Sequence, residues 1–266
     1  MIRIGLIGKT NTGKTTFFNS ATLGNEEIAN YPFTTKKPIH GNAHVITLCV
    51  HKEFGVQDNP RNSLCKDGWR FIPVELIDLP GLIKGAWEGK GLGNQFLSVA
   101  AQSDVLLHIV DASGSIDASG KIAEAGAGDP IADVSDIEEE LVLWYLKLFE
   151  GNREKISRMT NTGMDTARAI TEIFGGIGVK EWHVKQSLIE NNLVDRNIHE
   201  LDPDESRKFI STLREISKPS LIVANKIDLP SASENFNRVA EHNKHMFVIP
   251  SSADAELTLR RAQNRG

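Results

Sequence analysis

Residues 8–16 read GKTNTGKTT, a spacing whose chemistry is that of an anion cradle. Gly8 and Gly13 let the backbone take positive φ and wrap closely, so that the N–H groups of Lys9, Thr10, Asn11, Thr12, Gly13, Lys14, Thr15 and Thr16 can converge on phosphate oxygens. Lys14 supplies a point charge for β- and γ-phosphates, in the ground state and during transfer, and the Thr15 hydroxyl is placed for a Mg²⁺ ion. Asn11 either fixes the turn by side-chain to backbone hydrogen bonds or offers an oxygen to a monovalent cation such as K⁺.

Two further clusters fit the same chemistry. In VELIDLPGL, Asp78 can reach Mg²⁺ through water and the Gly81 N–H can sense a γ-phosphate, which makes Gly81 a catalytic candidate beside Lys14. In LIVANKIDL, Asp228 can accept two hydrogen bonds from the N1–H and N2–H₂ edge of guanine, which adenine does not offer. Asn225 would brace that loop, the Lys226 stem would pack over the base, and the backbone at Ser252 and Ala253 would close the pocket. The position after Gly81 holds Leu82, whose apolar side chain cannot orient an attacking water by hydrogen bonding.

These residues need strands that end where the loops begin. Apolar runs at 2–7, 45–50, 71–77, 105–110, 220–224 and 246–250 read as strands of a mostly parallel sheet. Four of them run directly into GKTNTGKT, DLPG, DAS and NKID. In an open α/β sheet, ligands sit outside the carboxyl ends of the strands, so this order predicts a nucleotide fold with helices on both faces. Over 112–218 the spacing turns helical. Ser135 and Glu138 suggest a capping box ahead of Ile137, Leu141, Trp144 and Leu148. Helices are expected over 153–173 and 180–194, parted by the breaker at 175–178. Asp202-Pro203 reads as an N-cap followed by proline, with Pro219 ending that helix. The middle pair is expected to be an inserted helical hairpin over 151–200, or else two ordinary peripheral helices. Trp144, Tyr145 and Trp182 read as helix-packing aromatics.

At 266 residues the chain can bury a large core, and its formal charge of −5 with a pI near 5.9 gives no global attraction for nucleic acid. Two cysteines suit a reducing compartment. The chain opens on a strand, with no leader and no apolar run approaching a membrane span, which predicts a soluble cytoplasmic protein. Cys49, His51 and Cys65 lack a C-x₂-C pair and a defined fourth ligand, so free thiols are expected. No Ser-His-Asp arrangement is readable.

Taken together, GKTNTGKTTFFNSAT at 8–22, EIANYPFTT at 27–35, DLPGLIKGAWEGKGLGNQFL at 78–97, NKID at 225–228 and IPSSADAELTLR at 249–260 resemble the Obg-like GTPases. Within them the chain looks like the YchF group in its archaeal form. The resemblance implies a TRAFAC-type P-loop NTPase domain over 1–150 and 201–266 carrying the helical insertion, GTP and GDP as ligands, and Mg²⁺. It also implies that Thr35 is the threonine that meets Mg²⁺ when a γ-phosphate is present; from the residues alone Thr34 serves equally. It implies a C-terminal TGS domain, absent here as in a fragment, and an association with the ribosome or its RNA. Several K⁺-activated GTPases resemble this chain at Asn11. Many bacterial and eukaryotic YchF members carry glutamate at the base loop and prefer ATP, whereas Asp228 argues for GTP. An ATPase of the same family, or a nucleotide-dependent scaffold with negligible turnover, remain alternatives.

Overall fold

The computed structural model describes residues 1–23, 38–82, 84–89 and 93–265. Its strands are β1 (Ile2–Ile7), β2 (Ile39–Leu48), β3 (Leu64–Lys66), β4 (Trp69–Asp78), β5 (Val105–Asp111), β6 (Ser220–Asn225) and β7 (Val248–Pro250). They form one sheet in the order β2-β4-β1-β5-β6-β7, with β3 paired to β4. β1 pairs parallel with β4 and β5, and the parallel run continues through β6 to β7; β2 and β3 are antiparallel to β4. The central strands are apolar because both faces are covered. On one face Leu6, Phe18, Leu76 and Ile109 pack together; on the other Ile7, Ile77, Leu79, Leu97 and Leu141 do.

The helices are α1 (Lys14–Thr22), the single turn α2 (His51–Phe54), α3 (Gly93–Gln102), α4 (Pro130–Asn161), α5 (Thr166–Phe174), α6 (Glu181–Glu190), α7 (Pro203–Ser217), α8 (Ala232–His242) and α9 (Ala253–Arg265). The helical middle differs from its sequence reading in instructive ways. Asp129, not Ser135, caps α4: its carboxylate accepts from Ile131 N with Pro130 in the first turn, while Ser135 bonds back to Ile131 O inside the helix. The stretch expected as one helix over 153–173 divides, because the chain turns at Gly163 with φ +91° and restarts at the Asp165 cap. The Asp202 capping box with Glu205, and Pro203 at the first position, are as expected. Trp182 is 57% exposed, since α6 buries the other side, Val184 and Leu188.

One apolar cluster unites this region: Tyr145, Phe149 and Ile156 of α4, Ile170 and Phe174 of α5, Val184 and Leu188 of α6, and Phe209 and Leu213 of α7. The cluster therefore reaches past 151–200 on both sides, and α4 is shared between it and the sheet, against which Ile137 and Leu141 pack. Among the described residues no helix is long and apolar enough to cross a membrane.

Candidate functional site

β1 ends at Ile7 and the backbone at once adopts the turn that Gly8 and Gly13 allow, with φ of +147° and +97° and Asn11 between them at +64°. Neither glycine tolerates a side chain. A Cβ on Gly8 would lie 2.3 Å from the Ile109 carbonyl oxygen, and one on Gly13 2.3 Å from Asn225 Nδ2. The turn delivers the N-terminus of α1, which has no side-chain cap and no acidic residue in its first turn. Helices α4, α5 and α7 are each capped by an aspartate. An uncapped positive helix end behind a glycine turn is suited to an anion.

Lys14 is buried, its Nζ donating to the carbonyl oxygens of Gly8 at 3.1 Å and Lys9 at 2.5 Å. Burial pulls its pKa down to about 8, against the opposing pull of Asp78. Thr15 Oγ1 donates to Asp78 Oδ2 at 2.6 Å. A hydroxyl and a carboxylate oxygen brought together at the ends of the turn and of β4 are hard oxygen donors of the kind Mg²⁺ takes, and both fit it. Thr12 is fully buried and donates to Lys9 O, while Thr16 is half-buried in the first turn of α1. Lys9 forms a short ion pair with the buried Asp133 of α4, and Asp136 lies 3.8 Å away. The Asn11 amide donates to Gly120 O at 2.9 Å, a side-chain to backbone bond that ties the turn to a segment distant in sequence and leaves both readings of Asn11 open.

The Asp-Leu-Pro-Gly segment lies directly on this turn. Leu82 N donates to Gly8 O at 3.1 Å, and a Cβ on Gly81 would meet Thr10 Oγ1 at 2.4 Å. The Leu82 side chain points the other way, into the core with Leu79 and Leu97. Thr34 and Thr35 lie outside the described residues.

The base loop is joined to the turn by one side chain. Asn225 Nδ2 donates to Thr12 O at 2.9 Å, and Asn225 Oδ1 accepts from Ala253 N at 3.0 Å. The Ala253 N–H, expected to close the base pocket, is thus bonded to Asn225, and Ser251 N donates to Ala224 O. Lys226, left-handed at φ +61°, donates to Asp111 Oδ2 at 3.0 Å and Ser115 Oγ at 3.3 Å. The exposed Asp228 accepts from Ser252 Oγ at 2.5 Å.

Sequence reasoning missed Asp111, Asp133 and Glu140. Asp111 accepts from the N–H and hydroxyl groups of Ser113 and Ser115 as well as from Lys226. Its position at the end of a strand, before alternating serines, was the available signal. Glu140 of α4 accepts from Gly85 N at 2.6 Å and Trp87 N at 2.9 Å, and nothing local in the sequence announces that.

The comparisons agree with this geometry. The family model described as 50S ribosome-binding GTPase matches residues 3–141, and one described as Obg-like GTPase YGR210-like, G4 motif-containing domain, matches 223–266. An uncharacterized GTP-binding protein of Methanocaldococcus jannaschii is 40% identical over the whole chain, which covers 66% of that protein. The ribosome-binding ATPase YchF of Bacillus subtilis is 29% identical over 95% of this chain and 66% of its own length. The crystal structure of a GTP binding protein from Pyrococcus horikoshii superposes with a TM-score of 0.81 at 32% identity, covering all of this chain and 68% of that one. The chain spans about two thirds of the length of the curated relatives it matches. With its phosphate turn, base loop and sheet order in place, it belongs to the Obg-like, YchF-type family of P-loop GTPases.

Proposed function

We propose that the chain binds GTP with Mg²⁺, hydrolyses it slowly to GDP and phosphate, and uses the difference between the two states as a switch. The supporting observation is the contact between Thr15 and Asp78 at the foot of an uncapped helix end, where an ion and a triphosphate would meet. Thr15 and Asp78 would hold Mg²⁺, which when bound offsets charge on the β- and γ-phosphate oxygens. Lys14 would exchange its two carbonyl partners for phosphate oxygens, and the Gly81 N–H would report on the γ-phosphate. Thr35 would complete the ion's shell. Because Leu82 is committed to the core, no side chain at that position orients water, and slow turnover follows.

Asp228 would read the guanine edge, Asn225 would hold its loop on the phosphate turn, and Lys226 would cover the base. With the Ala253 N–H already bonded, a backbone contact from this segment falls to Ser252. Asn11, anchored through its nitrogen, would present its oxygen to K⁺; turnover in KCl against NaCl at constant ionic strength, with Asn11→Ala alongside, separates that from a purely structural role.

The nucleotide domain would comprise 1–150 and 201–266, with the insertion carrying effector contacts. The relatives named as ribosome-binding make the ribosome the partner we propose, and the cytoplasm the place. The ATPase name of the same relatives supports a second reading, in which ATP is the substrate. Phosphate release under multiple turnover with GTP and with ATP decides: faster release from GTP, abolished by Lys14→Ala, is expected. Preference for ATP establishes the second reading, and no release from either, with tight binding retained, establishes a scaffold.

A further inference from the structure

The far end of the β2–β4 hairpin forms a small lobe with almost no apolar interior. Between residues 44 and 72 only Cys49 and Gly68 are buried, while Leu48, Val50, Phe54, Val56, Leu64 and Trp69 are all exposed. Residues 55–63 run without regular structure between α2 and β3. A segment of that length ordered without a core needs another tie.

The interior of the lobe is polar. Cys49 follows β2, His51 opens α2, Asp58 lies in the irregular run and Cys65 is the middle residue of β3. One ligand atom from each, the two Sγ atoms, His51 Nδ1 and an Asp58 oxygen, lie within 4.8 Å of one another. Cys49 Sγ to Asp58 Oδ2 is 3.1 Å, Cys65 Sγ to His51 Nδ1 3.6 Å, and His51 Nδ1 to Asp58 Oδ2 3.6 Å. Zinc bonds of about 2.3 Å to sulfur and about 2.0–2.1 Å to nitrogen and oxygen give a tetrahedron with edges of roughly 3.3–3.8 Å. The fourth ligand that the sequence spacing did not define is therefore supplied by folding.

We propose that Cys49, His51, Asp58 and Cys65 form a closed, four-ligand site for a zinc ion that holds this lobe together. Two thiolates and an imidazole select a borderline-soft ion over Mg²⁺ or Ca²⁺, and four protein ligands leave no open position, which marks the site as structural. Arg70, the register partner of Cys65 on β4, completes the charge balance. Its Nη2 donates to Cys49 Sγ at 3.1 Å and to the Asp58 oxygens at 2.8 and 2.7 Å. Two thiolates and one carboxylate against Zn²⁺ leave a single negative charge, which the guanidinium neutralises while aiming the carboxylate, as outer partners of metal ligands do. The site is separate from the phosphate turn: Trp69 and Asp78 stand nine residues apart on β4, about 30 Å.

The test uses the whole 266-residue chain, purified reduced and without chelator, with zinc measured by mass spectrometry and its affinity by competition with a chromogenic chelator. One zinc per chain is expected, and Co²⁺ added to the stripped chain should give the intense visible absorption and thiolate charge transfer of a tetrahedral sulfur-containing site. His51→Ala and Cys65→Ser, whose side chains are partly exposed, should lower zinc affinity by about 100-fold while far-UV circular dichroism stays unchanged. Stripping zinc should also speed tryptic cleavage after Lys52 and Arg61 by about tenfold, since ordering of that run is coupled to the metal. Less than a tenth of an equivalent of zinc after reconstitution, unchanged affinity in Cys65→Ser, or a Co²⁺ spectrum like that of the hydrated ion would each overturn the proposal.

Discussion

Lys14 combines a demand for charge with a buried position. Burial lowers its pKa to about 8, while a triphosphate bound as proposed would stabilise the ammonium and restore a higher value. Binding above about pH 8 must then take up a proton, so nucleotide affinity should hold steady below that pH. Above it, affinity should fall by up to about tenfold per pH unit. Calorimetric titration between pH 7 and 9.5 in buffers of different ionisation enthalpy checks both the slope and the proton uptake. In the role proposed for it Asp228 would act through geometry instead: Asp228→Ala should weaken GTP binding by roughly 10- to 100-fold, because base donors lose their acceptor, and leave ATP nearly unchanged in a competition assay. That Lys14, Thr15 and Asp78 come together at the end of β1 and β4 was legible because a strand end followed by a glycine turn is a local pattern, and a few residues of spacing encode it; the roles proposed for them rest on that placement. Asn225 was legible only as a brace. That it spans from Thr12 O to Ala253 N depends on residues more than 200 apart in sequence and adjacent only once β6 lies near the turn.

At the level of elements, six of the seven described strands were legible from apolar runs, while the three-residue β3, Leu64–Lys66, has no such run, and the strand boundaries were not legible. β2 begins at Ile39, earlier than the run at 45–50, since its register with β4 extends through Gly41 and Asn42, which carry no strand signal of their own. The start of α4 illustrates competition between two signals: Asp129-Pro130 precedes the Ser135 box, and a helix begins at the first good cap it meets. Within α4, Glu140 holds the turn that follows the Asp-Leu-Pro-Gly segment by accepting from Gly85 N and Trp87 N, and Lys147 Nζ donates to Trp87 O at 3.2 Å. Removing a buried acceptor of two N–H groups should cost about 2–4 kcal/mol. Urea unfolding of Glu140→Ala measures that cost, and faster amide exchange at Gly85 and Trp87 than in the parent chain shows where it arises.

For the molecule as a whole, the sheet carries one buried base that reports on acid stability. His108, fully buried on β5 between Ile7 of β1 and Ile222 of β6, has its pKa lowered to about 3, chiefly by burial and then by the charges of Arg214 and Lys14. The unfolded chain binds this proton near pH 6.5 and the folded chain does not, so the residue's contribution is complete above pH 6.5 and is lost progressively toward pH 3. Between pH 7 and 5 that amounts to about 2 kcal/mol. Replacing the imidazole by an apolar group, His108→Leu, should reduce by that amount the difference between unfolding free energies measured at the two pH values.

α4 is 32 residues long, and its side-chain attachments to the phosphate turn and the 84–89 turn, through Asp133, Asp136, Glu140 and Lys147, all fall at or before Lys147. Asp133 is paired with Lys9 of the phosphate turn, and Glu140 with the 84–89 turn, about 10 Å further along. The remaining stretch to Asn161 is about 32 Å long and carries Tyr145, Phe149 and Ile156 into the helical cluster. Such proportions are those of a lever with a short and a long arm. A shift of about 1 Å between the two loops tilts the rod by about 5°, and the distal end sweeps about 3 Å. With a nucleotide bound as proposed, a rearrangement no larger than a bond length beside its phosphates would become, at the far tip, a displacement wide enough to open or close a protein contact.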